Sequence, residues 1–125
     1  MKATVPFLSL SLVLSSLLAL ATPALAAGDA EAGRALYQAR CSACHTLDYN
    51  GVGPAHRGVF GRAPGQAKGY AYSDALKAVK APWTEATLDR WLADPEAYAP
   101  GQRMGLYVPE AGDRADLIAY LKQAK

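Results

Sequence analysis

Cys41-Ser42-Ala43-Cys44-His45 is the segment around which the rest of this chain must be organised. Its two thiols lie about one helical turn apart, and the histidine that follows them can aim its imidazole at the same point. At this spacing two cysteines can add to the two vinyl groups of one haem while the next residue ligates the iron. The motif therefore predicts a covalently attached haem, with Cys41 and Cys44 as attachment points and His45 as an iron ligand.

Three other kinds of site use cysteines at the same spacing. A thioredoxin-like redox pair belongs beside a strand-helix-strand pattern, and the sequence contains no alternating strand pattern of useful length. A structural disulfide would close so short a loop that it would constrain the unfolded chain only slightly. A zinc site needs four ligands, and only His56 lies close enough in sequence to complete the set. Haem is the preferred interpretation, and these three remain alternatives.

Two segments near the ends of the chain have apolar residues at three- and four-residue steps, which predicts amphipathic helices. In residues 30–43 the repeating small and apolar residues are Ala32, Ala35, Leu36, Ala39 and Ala43. In residues 113–124 they are Leu117, Tyr120, Leu121 and Ala124. Asp29 is placed to cap the start of the first helix.

Two shorter helices are predicted between these ends. Ser73 can cap a helix over residues 74–79, and Thr84 can cap another over residues 85–92, which must stop before Pro95. With helices as the only regular elements, the predicted fold class is all-α.

Glycine and proline dominate two of the remaining segments. Residues 50–69 and 98–110 cannot sustain long regular elements and are predicted to be loops. A chain with so many loops and so few large aliphatic residues builds only a thin core. A bound prosthetic group would complete that core, in agreement with the haem motif.

The first residues resemble a secretory signal peptide. Lys2 is followed by an apolar run over residues 5–20, and Ala24-Leu25-Ala26 predicts cleavage before Ala27. Residues 1–26 are therefore predicted to be a signal peptide, and residues 27–125 the mature domain, exported to the periplasm. An uncleaved membrane anchor is the alternative, because the run approaches the roughly 18 residues that a spanning helix needs. No other segment is predicted to cross a membrane.

The charge of the chain is nearly balanced. Its 13 Lys and Arg residues against 11 Asp and Glu residues give a formal net charge of +2. Loss of Lys2 with the leader would bring the mature chain to about +1. Binding to nucleic acid depends on many Lys and Arg contacts to phosphates, so a nucleic-acid partner is not expected.

Along nearly its whole mature length the chain resembles the class I c-type cytochromes, in particular bacterial monohaem members similar to mitochondrial cytochrome c. The matching segments occur in family order and are residues 28–33, 41–45, 53–54, 58–62, 70–74, 83, 100–104 and 116–122. The resemblance implies the cytochrome c fold, in which crossed N- and C-terminal helices, short helices and loops surround one covalent haem c. Gly33 and Tyr120 match the positions where the family's terminal helices cross.

The resemblance also implies the rest of the haem site. Met104 stands in a Pro-Gly-x-x-Met loop, where the family has its second axial ligand, and the carbonyl of Pro54 would accept a hydrogen bond from His45. Residues that match the family's neighbours of the haem propionates are Arg62, Tyr72 and Trp83. The rivals to Met104 as sixth ligand are His56, a lysine or an open position.

The function implied by the resemblance is one-electron transfer in the periplasm, with no enzymatic activity. The expected donors are a dehydrogenase or a quinol-oxidising complex of a respiratory chain, and the expected acceptors are an oxidase or a reductase. One alternative is the haem c subunit of a periplasmic dehydrogenase. A haem sensor or peroxidase with an open iron position is another, and a His/Met ligand pair would exclude it.

Several residues depart from the family pattern. His56 stands where an aliphatic residue usually packs against the haem, so it is either a packing residue or an added titratable group. Gln102 replaces a frequent Thr, and Trp91 replaces a frequent Tyr or Leu beside the methionine. Glu96 takes the place of a lysine used in docking, although Arg103 keeps a positive charge nearby. The redox partner is therefore not expected to require a strongly basic face.

Overall fold

A computed structural model describes residues 27–125, and the predicted signal peptide, residues 1–26, lies outside the described part. The described residues form five helices and no strand, which confirms the all-α prediction. The helices are α1 (Ala30–Arg40), α2 (Asp74–Ala78), α3 (Glu85–Ala93), α4 (Pro95–Tyr98) and α5 (Ala111–Gln123). Among residues 27–125 no helix has both the length and the apolar character to cross a membrane.

Side-chain caps begin the first three helices where the sequence predicts them. Asp29 accepts a hydrogen bond from the backbone N–H of Glu31 at 2.8 Å, and Ser73 caps α2 in the same way. At the start of α3, Thr84 and Thr87 form a reciprocal capping box. Each cap satisfies N–H groups that a helix start leaves without a partner, so these boundaries depend only on neighbouring residues.

Helix α1 ends at Arg40, three residues before the predicted end. The backbone N–H groups of Cys44 and His45 both donate to the carbonyl of Cys41, at 3.1 and 2.9 Å. Sharing one acceptor tightens the chain into a turn and interrupts the regular helical ladder. The Cys-x-x-Cys-His motif is therefore a turn that follows α1 and does not belong to it.

The sequence does not predict helix α4, because Pro95 indicates only where the preceding helix must stop. Helix α3 does end before Pro95, but the side chain of Asp94 accepts from the N–H of Ala97 at 2.9 Å and starts a further turn. Proline suits the first helical position, since the N–H that it lacks would have no partner there. Helix α5 also begins two residues before the predicted start at residue 113.

The terminal helices α1 and α5 cross at Gly33, as the resemblance implies. A Cβ atom at Gly33 would overlap the backbone carbonyl of Asp116, so only glycine lets the two backbones approach this closely. The backbone N–H of Asp29 also donates to the Asp116 carboxylate at 2.7 Å. One turn further, the rings of Tyr37 and Tyr120 pack with their centroids 5.2 Å apart. The crossing brings the haem motif, which follows α1, against α5.

An apolar core lies between α3, α5 and the loop before α5. Leu117 and Val108 are almost completely buried, at 1% and 0% exposure. The largely buried Arg114 connects all three parts, because it bonds to Asp89 at 2.6 Å and to the carbonyl of Val108 at 2.9 Å. These contacts support one wall of a large cavity.

Candidate haem site

A cavity of about 390 Å³ lies between the helices and the loops. Every residue predicted for the haem site lines it, and these residues are Cys41, Cys44, His45, Pro54, Arg62, Tyr72, Trp83 and Met104. They come from segments far apart in sequence, which only the folded chain brings together. Most of the remaining lining is aliphatic or aromatic, as is usual for a cofactor pocket.

The two cysteines of the motif line one side of this cavity and are not joined to each other in a disulfide. Cys41 is half-buried and Cys44 is exposed, so the cavity reaches the surface beside Cys44. Burial raises the pKa of the Cys41 thiol to about 11, although the nearby Arg40 partly opposes this shift. Within residues 27–125 no three His, Cys, Asp or Glu side chains converge as metal ligands, so the zinc alternative lacks a ligand set in this part of the chain.

His45 is held in one orientation by its neighbours. Its Nδ1 atom lies 2.8 Å from the carbonyl of Pro54. Because a carbonyl only accepts hydrogen bonds, Nδ1 carries the proton, and Nε2 keeps the lone pair that a metal requires. Burial lowers the pKa of His45, which favours the neutral imidazole needed for ligation.

Gly53 leaves the space that the His45 ring occupies. A Cβ atom at Gly53 would overlap Cε1 of His45 and would lie 2.6 Å from its Nδ1. Gly53 therefore has a steric role beside the ring, in addition to its place in a turn.

Replacing Gly53 by alanine is expected to displace the His45 ring and to break its hydrogen bond to Pro54. The backbone N–H of Gly53 donates to Cys44 at 2.8 Å, so the loop has little freedom to move away. Since His45 is the predicted iron ligand, we expect its displacement to weaken ligation of the iron, measured as high-spin character in the ferric absorption and paramagnetic resonance spectra. Gly112→Ala is the control, because Gly112 does not line the cavity and a Cβ there meets no atom within 4 Å. Equal spectra for the two variants would contradict the steric role of Gly53.

Met104 lines the cavity from the loop that follows α4, and neighbouring polar groups organise that loop. The backbone N–H of Met104 donates to the side-chain oxygen of Gln102 at 2.5 Å. The Gln102 amide donates to the carboxylate of Glu96 at 3.3 Å, and that carboxylate also accepts from the N–H of Gly101 at 2.9 Å. Two departures from the family pattern, Glu96 and Gln102, thus form one hydrogen-bonded network around Met104.

Arg62 is one of three arginines that line the cavity, with Arg40 and Arg103. Its Nη atoms donate to the carbonyls of Arg57 and Ala55 at 3.2 and 3.5 Å, but its fully buried Nε has no hydrogen-bond partner among residues 27–125. A buried N–H without an acceptor costs about 1–3 kcal/mol, and more when the group is charged. A haem propionate would provide the missing acceptor and the opposite charge. This unpaired atom shows that the residues present suit a haem.

Tyr72 and Trp83 stand near Arg62 as the resemblance implies. The backbones of Arg62 and Trp83 pair directly, with the Trp83 N–H 2.9 Å from the Arg62 carbonyl. The hydroxyl of Tyr72 accepts from the N–H of Ala67 at 3.0 Å, so its own proton is still available to an acceptor in the cavity. Burial raises the pKa of Tyr72 and keeps this proton in place. Trp91 packs 5.7 Å from Trp83 and extends the aromatic wall.

The sequence singles out His56 but not its pairing with Tyr37 beside His45. The imidazole of His56 stacks on the His45 ring, with centroids 4.0 Å apart and planes inclined by 20°. Its Nδ1 lies 3.0 Å from the hydroxyl of Tyr37, a residue that the sequence offered only as part of a helix. The position of Tyr37, one turn before Cys41, could have placed it beneath the motif. Burial, then the charges of His45 and Arg62, lower the pKa of His56 to about 3, so His56 is neutral at neutral pH.

An all-α fold, a Cys-x-x-Cys-His turn and a mostly apolar cavity with a buried arginine Nε that lacks an acceptor among residues 27–125 together define a protein suited to hold a covalent haem. Residues 30–125 match the sequence profile of the family described as Cytochrome c. The chain belongs to the cytochrome c family.

Individual relatives agree with this assignment. The cytochrome c of Gibberella zeae is 41% identical, and the alignment covers 80% of this chain and 98% of the relative. A protein of Rhodobacter capsulatus named cytochrome c-type cyt cy is 46% identical over 79% of this chain, which spans 51% of that relative. Among solved structures, cytochrome cH from Methylobacterium extorquens superposes with a TM-score of 0.73 at 46% identity, covering 76% of this chain and 98% of the other.

Membership of the family establishes the cofactor and the general activity. The chain carries one covalently attached haem c and transfers electrons to and from redox partners, and it is not an enzyme. The thioredoxin-like, disulfide and zinc interpretations of the motif are therefore wrong.

Proposed function

We propose that this chain is a periplasmic one-electron carrier whose haem is attached through Cys41 and Cys44 and whose iron is held by His45 and Met104. The observation that carries the proposal is the placement of His45 and Met104 on the walls of one cavity. The hydrogen bond of His45 Nδ1 to Pro54 leaves Nε2 for the iron, and Met104 is the only methionine in the described residues.

The haem, when bound, supplies the Fe(III)/Fe(II) couple through which the electron passes. The thioether of Met104 is a soft ligand that favours the reduced iron and so raises the reduction potential. The network of Glu96 and Gln102 restrains the Met104 backbone and supports a permanently filled sixth position. A filled position suits an electron carrier and leaves no site for a gas or a peroxide.

The walls of the cavity determine where electrons can enter and leave. Aromatic and aliphatic side chains exclude water from most of the cavity, while Cys44 and Val52, which is 77% exposed, line it at the protein surface. Electrons are therefore expected to pass at this exposed rim. No side chain has to act as an acid, a base or a nucleophile in the transfer.

The proposed location follows from the predicted signal peptide, and the expected docking surface follows from the net charge of the mature chain. Residues 1–26 have the composition of a secretory signal, and residues 27–125 form the mature domain. A dehydrogenase or a quinol-oxidising complex would donate the electron, and an oxidase or a reductase would accept it. Since the mature net charge is close to zero and Glu96 is engaged in the Met104 loop, docking is not expected to require a strongly acidic partner surface.

The proposal is tested by expressing the full chain in a bacterial host that matures c-type cytochromes. We expect haem to remain attached on a denaturing gel in the wild type, and the double variant C41A/C44A to lose all covalent haem. Ser42→Ala is the control, because it changes the same turn without removing a thiol. A colourless wild-type protein would contradict the attachment.

Two further measurements on the wild type test ligation and location. The mature protein should begin at Ala27 in the periplasmic fraction, and retention in the membrane would contradict the proposed location. The reduced protein should not bind carbon monoxide at neutral pH, since both axial positions are filled. Rapid carbon monoxide binding would favour an open-site sensor or peroxidase.

A further inference from the structure

Tyr37 and His56 form a polar pair directly against the His45 ring. The Tyr37 hydroxyl lies 3.0 Å from His56 Nδ1, and the His56 ring stacks 4.0 Å from the ring of His45. Both residues of the pair line the cavity, and Tyr37 is only 5% exposed. The structure thus places a hydrogen-bonded phenol and imidazole where aliphatic packing would suffice to fill space.

Contacts with parts of the chain outside the haem cavity hold both Tyr37 and His56 in place. Tyr37 belongs to α1, where its ring packs against Tyr120 of α5. The backbone N–H of His56 donates to the carbonyl of Thr46 at 2.9 Å, which ties the His56 loop to the residue after His45. The His56 ring is therefore fixed at its backbone and at its Nδ1 atom.

Burying this polar pair costs free energy that apolar side chains in the same place would not cost. Burying an amide or a hydroxyl without a partner costs about 1–3 kcal/mol in mutational data, and the mutual hydrogen bond removes this penalty only for the two atoms it joins. A leucine and a phenylalanine would fill similar space without that requirement. The polar pair is therefore better explained by its effect on the ring it touches.

We propose that Tyr37 and His56 are positioning residues that fix the plane of the His45 ring and lower the reduction potential of the haem. This inference rests on the proposed ligation of the iron by His45. After His45 bonds to Pro54, its ring can still rock about that hydrogen bond, and the stacked His56 ring limits this motion. A polar ring beside the ligand also stabilises the extra positive charge of the oxidised iron better than an aliphatic side chain would.

A double-mutant cycle on the haem-loaded protein tests the pair. The variants are His56→Leu, Tyr37→Phe and the two combined, with Tyr120→Phe as the control that removes a neighbouring phenol hydroxyl. The readouts are the midpoint reduction potential and the pattern of shifted haem-methyl proton resonances in the ferric state, which reports the orientation of the axial histidine plane.

We expect His56→Leu to raise the midpoint potential and to rearrange the haem-methyl pattern. Tyr37→Phe should cause a smaller shift in the same direction, because the His56 ring loses its anchor. In the His56→Leu background the same Tyr37→Phe change should have no further effect, since coupled residues do not act additively. Tyr120→Phe should leave both readouts as in the wild type.

Two results would overturn the inference. Additive effects of the two substitutions would show that Tyr37 does not act through His56. Unchanged potential and methyl pattern in His56→Leu, with only a lower melting temperature, would show that the pair serves the core alone. If His56→Leu failed to assemble with haem, Tyr37→Phe, which keeps the His56 ring and removes only its anchor, would still decide the matter: unchanged potential and methyl pattern in that variant would contradict the inference. Failure of the proposed ligation would be recognised separately, by carbon monoxide binding to the reduced wild type.

Discussion

Met104→Ala is expected to lower the reduction potential by a few tenths of a volt, out of the roughly 0.8 V range that axial haem ligands can cover. The variant loses the soft thioether that favours the reduced iron, and water or an external ligand can occupy the vacated position. The measurements are a redox titration and the weak red charge-transfer band that ferric Met-ligated haem shows. We expect this band in the wild type and not in the variant.

The control for Met104→Ala comes from the same loop. Tyr107 is 60% exposed, so Tyr107→Ala changes the loop without removing a group from the cavity. This control should keep the charge-transfer band and should not bind carbon monoxide when reduced, whereas Met104→Ala should bind it. If Met104→Ala retained the band and the potential, Met104 would not be the ligand.

Gly33→Ala is expected to lower the free energy of unfolding by about 3 kcal/mol, at the upper end of what overpacking a core usually costs. Alanine is the better helix former by about 1 kcal/mol, but its Cβ would overlap the backbone carbonyl of Asp116. Helices α1 and α5 would have to separate, because a backbone atom cannot turn aside as a flexible side chain can. Guanidinium denaturation of the haem-loaded protein measures the effect.

The same substitution at Gly112 provides the matched control. Gly112 lies in the first turn of α5, and a Cβ there meets no atom within 4 Å. Gly112→Ala should therefore leave the stability unchanged or raise it by up to about 1 kcal/mol. A similar loss of stability in both variants would point to a general effect of alanine and would contradict the close approach at Gly33.

The starts of α1, α2 and α3 were predictable because they depend on residues a few positions apart. Asp29, Ser73 and Thr84 each accept a hydrogen bond from a backbone N–H two or three residues further along. The end of α1 was not predictable in the same way. Apolar residues continue to Ala43, yet the shared carbonyl of Cys41 turns the chain after Arg40.

Within the haem site, too, features set by neighbouring residues could be predicted, and contacts between distant residues could not. The spacing of Cys41, Cys44 and His45 was sufficient to predict a covalent haem, because all the necessary groups lie within five consecutive residues. His56 could be recognised in the sequence as unusual, but its role stayed open between packing and titration. Its contacts with Tyr37 and His45 join residues far apart in the chain, and no local pattern encodes them.

The sequence by itself determined the cofactor motif, the helical class and the three side-chain caps, since each rests on interactions between near neighbours. Only the tertiary structure decided how closely the backbones of α1 and α5 approach at Gly33, that Glu96 and Gln102 restrain the Met104 loop, and that a phenol and an imidazole lie against His45. These features depend on which distant backbones and side chains come within a few ångströms of each other. Packing around one shared cavity determines that proximity, and the order of residues along the chain does not reveal it.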